Sequence, residues 1–112
     1  MNSTAAPRRT NRRLTARRAC QLQVAYRTGK DWHPATAMDI SKAGCRLRLG
    51  EELVRGGRIS VLVSHPQPDG SVRSAQIEGT IVWWRLEGLS YQAGIHFTSE
   101  SALLIDIMTS LV

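Results

Sequence analysis

The chain has 112 residues, of which 42% are hydrophobic, and a formal net charge of +6. This length suits one domain that buries a core without disulfides or metals, and no stretch approaches the roughly 18 apolar residues of a membrane-spanning helix. The arginine-rich start lacks the apolar segment of a secretory leader. Cys20 and Cys45 have no metal-ligand spacing, so we expect free thiols in a cytoplasmic protein without membrane insertion.

The positive charge is concentrated at the N-terminus. Six arginines and no acidic residue occur in the first 18 positions, whereas the remaining chain holds nine basic and nine acidic residues. We expect residues 1–11 to be disordered, because they contain almost no large apolar side chains. Residues 12–18 then form a flexible arginine arm before a neutral body, and such an arm favours an anionic partner.

The pattern over residues 19–97 predicts short strands separated by turns. Apolar side chains alternate from Cys20 to Tyr26, and Pro34 marks an edge or a bulge in the following strand. The adjacent Trp83 and Trp84 are expected on opposite faces of their strand. Further strands are predicted over 32–40, 45–49, 58–63, 72–85 and 91–97, with a loop over 65–70 and a bulge or bend at Gly79.

The C-terminal residues change to a helical period. Apolar side chains recur three and four positions apart from residue 103 to residue 112, which predicts one amphipathic helix over 99–112. Thr98 or Ser99 is expected to cap it. The predicted fold class is therefore all-β with a C-terminal helix, in which six strands form a small antiparallel β-barrel and the helix docks its apolar face.

The segment Asp39–Gly44 lies between two predicted strands. Asp and Ser side chains bond to backbone N–H groups in tight turns, and Gly44 permits either a positive φ or a close approach of another backbone. We therefore expect the turn to present the Asp39 carboxylate and the Ser41 hydroxyl at the rim of the sheet. Arg46 and Arg48, on the next strand, are expected to point outward.

Patterns that indicate catalysis are weak. His33, His65 and His96 fall on three separate segments without metal-ligand spacing. Ser41 has no expected histidine base, and Gly56–Gly57 lacks the context of a phosphate-binding loop. The chain is therefore predicted not to be an enzyme, and no metal site is expected.

Two short polar motifs are separated in the sequence by one predicted β-hairpin. Arg13 and Arg17 form R-x-x-x-R, and Asp39–Gly44 forms D-x-S-x-x-G. This pair, with the closing strand Ala93–Phe97, resembles the PilZ domain family, whose members bind the bacterial second messenger cyclic di-GMP. The resemblance covers nearly the whole chain from the arm onward and implies a PilZ-like domain over 12–112.

The resemblance also implies a ligand site. The motif arginines would hold phosphate and guanine, and the motif Asp and Ser would hydrogen-bond a guanine edge and a phosphate or base, while the motif Gly leaves room for the ligand. Guanidinium suits this task because it binds phosphate or guanine O6/N7 bidentately. An arginine directly before the first motif arginine implies a stacked nucleotide dimer, hence two ligands per chain. The expected binding residues are Arg12, Arg13, Arg17, Asp39, Ser41, Gly44 and Arg46.

The resemblance thus predicts a receptor that has cyclic di-GMP as its ligand and no cofactor. Binding would order the arginine arm over the barrel and change the surface offered to an unidentified effector protein. Two alternatives stay open: an adaptor of this fold that binds no nucleotide, and a basic-armed nucleic-acid-binding barrel. The two complete motifs are against the first, and the neutral body with 5% aromatic residues is against the second.

Overall fold

The computed structural model describes residues 18–110 of the chain. Predictions for the tail over 1–11 and for the arm residues before Arg18 lie outside this range. The described part forms six strands and one helix, which we number along the chain. They are β1 (Arg18–Arg27), β2 (His33–Ile40), β3 (Gly44–Leu49), β4 (Arg58–Pro66), β5 (Val72–Glu87), β6 (Ser90–Phe97) and α1 (Ala102–Ser110).

The six strands close into a barrel in the order β1-β2-β3-β6-β5-β4, and every neighbouring pair is antiparallel. Alternation along each strand puts its apolar side chains inside, because successive side chains point to opposite faces. The fully buried ones come from all around the barrel and include Tyr26, Ile40, Leu47, Val61, Ile77 and Ile95. The predicted all-β fold, with its six-stranded antiparallel barrel and C-terminal helix, is confirmed.

β4 is longer than predicted. His65 and Pro66, expected in a loop, pair with Arg73 and Val72 of β5. β1 pairs with β4 only as far as Val63, so among residues 18–110 the last residues of β4 have no strand partner on that side. The missing N–H of a proline costs no ladder hydrogen bond at such an edge, which is why the strand can continue through it.

Gly79 lies in regular pairing with β4, so the predicted bulge or bend there is wrong. A Cβ at this position would lie 2.8 Å from the backbone oxygen of His96, which shows that β6 approaches closely. The irregularity of β5 comes three residues later, between Ile81 and Trp83 in the pairing with β6. Close backbone approach and bulging both favour glycine in a strand, and the pattern alone does not distinguish them.

The helix begins later than predicted. Thr98 and Ser99 extend the contact with β5, since Thr98 donates its N–H to the Glu78 oxygen (2.8 Å) and the Ser99 hydroxyl accepts the N–H of Glu78 (3.0 Å). Ser101 is the cap, because its hydroxyl accepts the N–H of Leu104 at 3.2 Å. The predicted caps, Thr98 and Ser99, are therefore wrong.

α1 docks on the barrel, as its short length requires. Leu103 and Leu104 are buried in the core, and Arg73 of β5 forms a 3.0 Å ion pair with Asp106. Within residues 18–110, no helix has the length and apolar character needed to span a bilayer.

Candidate functional site

The turn between β2 and β3 is built around the Ser41 hydroxyl. This oxygen accepts the backbone N–H groups of Ala43 (3.1 Å) and Gly44 (3.2 Å) and donates to the Gly44 carbonyl (3.3 Å). The Ser41 N–H donates to the same carbonyl at 2.8 Å. Ser41 is only 2% exposed, so the expectation that its hydroxyl is presented at the rim is wrong. The hydroxyl instead fixes the shape of the turn.

Gly44 is required by the packing of β3 against β6. Its φ is not positive, and a Cβ there would lie 2.1 Å from the backbone oxygen of Ile95. Of the two reasons that the sequence left open, the close backbone approach is therefore the correct one. This constraint exists without any ligand, so it is independent of the room for a ligand that the resemblance implied.

A bulge in β2 determines where Asp39 points. The pairing of β2 with β3 shifts between Ala37 and Asp39, which leaves Met38 as the extra residue. Ala35, Ala37 and Ile40 are buried, whereas Met38 and Asp39 are half-buried on the outer side. A regular strand would turn position 39 inward with positions 35 and 37. The bulge therefore places the carboxylate on the outer surface of the barrel.

Asp39 forms an ion pair with Arg46, its direct partner on β3. Arg46 Nε lies 3.1 Å from Asp39 Oδ2, and the two side chains are 37% and 17% exposed. An outward Arg46 agrees with the predicted alternation, and Arg48, two residues further, is exposed as well. The pairing keeps a partly buried carboxylate in one orientation and puts both signs of charge on one small area.

The same row of paired residues continues to Trp83. Arg46 pairs with Gly94 of β6, and Gly94 pairs with Trp83 of β5. The indole lies over Gly94, where a Cβ would be 2.2 Å from Nε1, and the Arg85 guanidinium lies 5.3 Å from the ring centroid. A flat aromatic surface therefore lies beside the ion pair. This arrangement was not predicted from the sequence, although a glycine inside a strand is a sign of close approach.

The adjacent tryptophan has a different environment. Trp84 packs against the core and meets Tyr91 with ring centroids 5.8 Å apart. The two tryptophans thus point to opposite faces, in agreement with the predicted alternation.

The start of β1 adjoins this face. Arg18 pairs with Ile40, and Ala19 pairs with Asp39. Arg12, Arg13 and Arg17 lie outside the described residues. In the sequence, Arg17 directly precedes Arg18, where this pairing begins. The β1–β2 ladder therefore pairs the two residues that follow the arginine motif in the sequence with Asp39 and Ile40.

Two cysteines lie on strands next to the turn, Cys20 on β1 and Cys45 on β3. The half-buried Cys20 donates its S–H to the Ala37 backbone oxygen at 3.2 Å, and Cys45 is buried. Burial raises the pKa of the Cys20 thiol, so this group stays protonated at neutral pH. In the part of the chain that the structure describes, no cluster of three or more metal-ligating side chains occurs.

The chain is similar to known proteins in both sequence and fold. A family model described as the PilZ domain matches residues 7–111. Among solved structures, the Bacillus subtilis inhibitor of motility (MotI/DgrA) has a similar fold, with a TM-score of 0.72 and 13% identity. That match covers 87% of this chain and 48% of the other, so the present chain spans about half the length of that protein. Comparison with curated protein sequences gave no significant match. Since the family model spans nearly the entire sequence, the chain belongs to the PilZ domain family.

Proposed function

We propose that this protein is a cyclic di-GMP receptor that binds the nucleotide between its N-terminal arginines and the outer face carrying Asp39 and Arg46. Membership of a family of cyclic di-GMP receptors and adaptors supports this function. The observation that carries the proposal is the pairing of Ala19 with Asp39. It places Ala19, two residues after Arg17 in the sequence, opposite the residue that carries the outward carboxylate, so the three candidate arginines would need only a short segment to reach it.

The chemistry of the face suits guanine and phosphate. The Asp39 carboxylate can accept from guanine N1–H and N2–H₂, which are adjacent donors on one edge of the base. Arg46 holds that carboxylate in place and adds a positive charge for a phosphate. Arg13 and Arg17 would supply the remaining guanidinium groups. Ser41 and Gly44 would act mainly by fixing the turn, and a direct contact between Ser41 and the ligand stays a prediction.

Arg12 is the residue expected to set the number of ligands. A third guanidinium in the arm can stack on a purine face or pair with a second set of phosphates. We infer that two nucleotides bind per chain and that Arg12 holds the second one.

Signalling would follow from the arm. A dianionic ligand neutralises arginines that repel one another, so binding favours an arm folded against the barrel over a free one. The altered surface would be recognised by an effector protein, and the receptor itself would catalyse nothing. The reducing cytoplasm would be its location, since Cys20 keeps its thiol as a hydrogen-bond donor.

The test is isothermal titration of the intact chain with cyclic di-GMP, alongside Arg13→Ala, Asp39→Ala and Arg12→Ala. We expect micromolar or tighter binding with close to two ligands per chain. Arg13→Ala and Asp39→Ala should each weaken binding at least about tenfold, as loss of a charge-assisted contact worth more than about 1.4 kcal/mol requires. Arg12→Ala should reduce the stoichiometry to about one.

Arg55→Ala is the matched control, because Arg55 is exposed in the loop after β3, at the opposite end of that strand from the Asp39–Gly44 turn. It should bind like the unaltered protein. Absence of binding by the intact chain would refute the receptor function and favour an adaptor that recognises only protein. Tight binding of single-stranded DNA or RNA that survives Asp39→Ala would favour the nucleic-acid-binding barrel instead.

A further inference from the structure

The β5–β6 hairpin extends beyond the part of the barrel that β4 covers. β4 pairs with β5 only up to Thr80, and Gly56 and Gly57 add backbone hydrogen bonds to Ile81 of 2.7 and 2.9 Å. Among residues 18–110, no backbone hydrogen bond joins the β4 side of residues 82–87 to another segment. These residues therefore form an open strand edge, which we call the hairpin edge.

The turn geometry shows which backbone groups the hairpin edge presents. Gly88 has φ +65° and, with Leu89, forms a two-residue turn between Glu87 and Ser90. Such a turn closes on a hydrogen-bonded pair, here Glu87 with Ser90. Because an antiparallel ladder alternates, the next residue, Leu86, directs its N–H and C=O away from β6. A second strand could therefore pair with the edge through Leu86.

Apolar side chains accompany these unpaired groups. Val82 is 44% exposed, Leu86 62% and Leu89, at the tip, is fully exposed. Natural edge strands are usually protected by lysine, proline or a bulge. The bulge at Val82 protects the inner end of this edge, but residues 83–87 contain neither lysine nor proline. An open edge with exposed apolar side chains is a surface that favours strand pairing.

The charges on the hairpin edge indicate what pairs with it. Arg85 and Glu87 flank Leu86 on one face, with Nη2 and Oε2 3.3 Å apart. If two such edges run antiparallel about a twofold axis at Leu86, each Arg85 lies opposite Glu87 of the other copy. Opposite charges directly across a strand pair are stabilising, and a twofold contact closes on itself. We propose that the hairpin edge joins two copies of this chain into a dimer.

A cavity beside the same edge fits this arrangement. It has a volume of about 230 Å³, and its lining combines the apolar Leu53, Val54 and Ile81 with the polar or charged Thr28, Glu52 and Arg58. In the register centred on Leu86, Leu89 of the second copy lies at the level of Trp83, two residues from Ile81. The fully exposed leucine of each tip is thus placed close to the apolar side of this recess in the other copy, which adds hydrophobic burial to the strand pairing.

Sedimentation velocity of the intact, nucleotide-free chain tests this proposal. We expect a concentration-dependent dimer between about 1 and about 500 μM, the range of weak edge-to-edge association. Arg85→Glu and Glu87→Arg should each weaken dimerisation at least about tenfold, because two opposed pairs per dimer become repulsive. The double variant restores both pairs and should dimerise within about threefold of the unaltered chain.

Two further variants make the outcome decisive. Leu86→Lys places the two introduced lysines opposite each other at the twofold axis and leaves the Arg85–Glu87 pair unchanged. It should therefore abolish the dimer, and this result holds even if a single charge reversal weakens the hairpin itself. Val72→Glu changes an exposed residue at the other end of β5 and should have no effect. A monomer at all concentrations would overturn the proposal. So would a dimer that survives Leu86→Lys or that the double charge reversal fails to restore.

Discussion

Gly44 shows how a single motif residue serves the fold before it serves a ligand. The Cβ that any other residue would bring collides with the Ile95 backbone oxygen, which β6 cannot easily withdraw because it is paired on both sides. Ser41 is similar, since its hydroxyl is used by the turn. Of the three residues that define the motif, Asp39, Ser41 and Gly44, Asp39 is the one whose side chain is directed to the outer face.

Gly44→Ala should therefore destabilise the protein in the absence of nucleotide. We expect the free energy of unfolding to fall by at least about 2 kcal/mol, as forced overpacking against fixed backbone does. Chemical denaturation at neutral pH measures this change. Gly50→Ala is the matched control, because its φ is not positive and no atom lies within 4 Å of the added Cβ, so its effect should stay within about 0.5 kcal/mol. Equal stability of the two variants would contradict the packing role of Gly44.

All six strands were predicted from the sequence, but the positions of the bulges in β2 and β5 were not. The inward face of β1, from Cys20 to Tyr26, follows from period two alone. In β2 the extra residue Met38 reverses the direction of Asp39, and nothing in the local composition announces this bulge. The relation of Trp83 to Gly94 depends on the register between two strands, which the sequence of either strand does not contain.

The cap of α1 is an element whose position the sequence left ambiguous. Thr98, Ser99 and Ser101 are all good capping residues, and competition from the β5 backbone decides among them. Because Ser99 accepts the Glu78 N–H, the first free hydroxyl before the helix belongs to Ser101. Tertiary pairing thus shortened a helix that local propensity would have started earlier.

Ser101→Ala should lower the free energy of unfolding by about 1 kcal/mol, since it leaves the Leu104 N–H without its capping partner. Thr98→Ala is a suitable comparison, because the Thr98 side chain is exposed and its backbone N–H makes the contact with β5. In urea unfolding, we expect Thr98→Ala to lower the free energy of unfolding by less than half as much as Ser101→Ala does. The reverse order of the two variants would place the cap at Thr98 after all.

In the whole molecule, the barrel carries three surfaces, of which the first two meet at Trp83. One end carries the Asp39–Gly44 turn beside the start of β1, and the other end of the sheet carries the hairpin edge. β6 connects them, since it pairs with β3 next to the turn and with β5 along the hairpin. The third surface is the exposed side of α1, which lies against the early part of β5. In the proposed receptor, nucleotide binding would change the first surface, and Trp83 is the residue through which this change could reach the hairpin edge.

The most direct test of this account is an amide NMR titration of the intact chain with cyclic di-GMP. We predict saturable shifts at Ala43, Gly44 and Gly94 and at the Trp83 indole N–H, with Gly70 and Gly88 unchanged as markers of distant turns. The Arg13→Ala variant should require a much higher nucleotide concentration for the same shifts. Absence of shifts at saturating nucleotide, or shifts confined to the distant turns, would contradict a nucleotide site on the Asp39–Arg46 face.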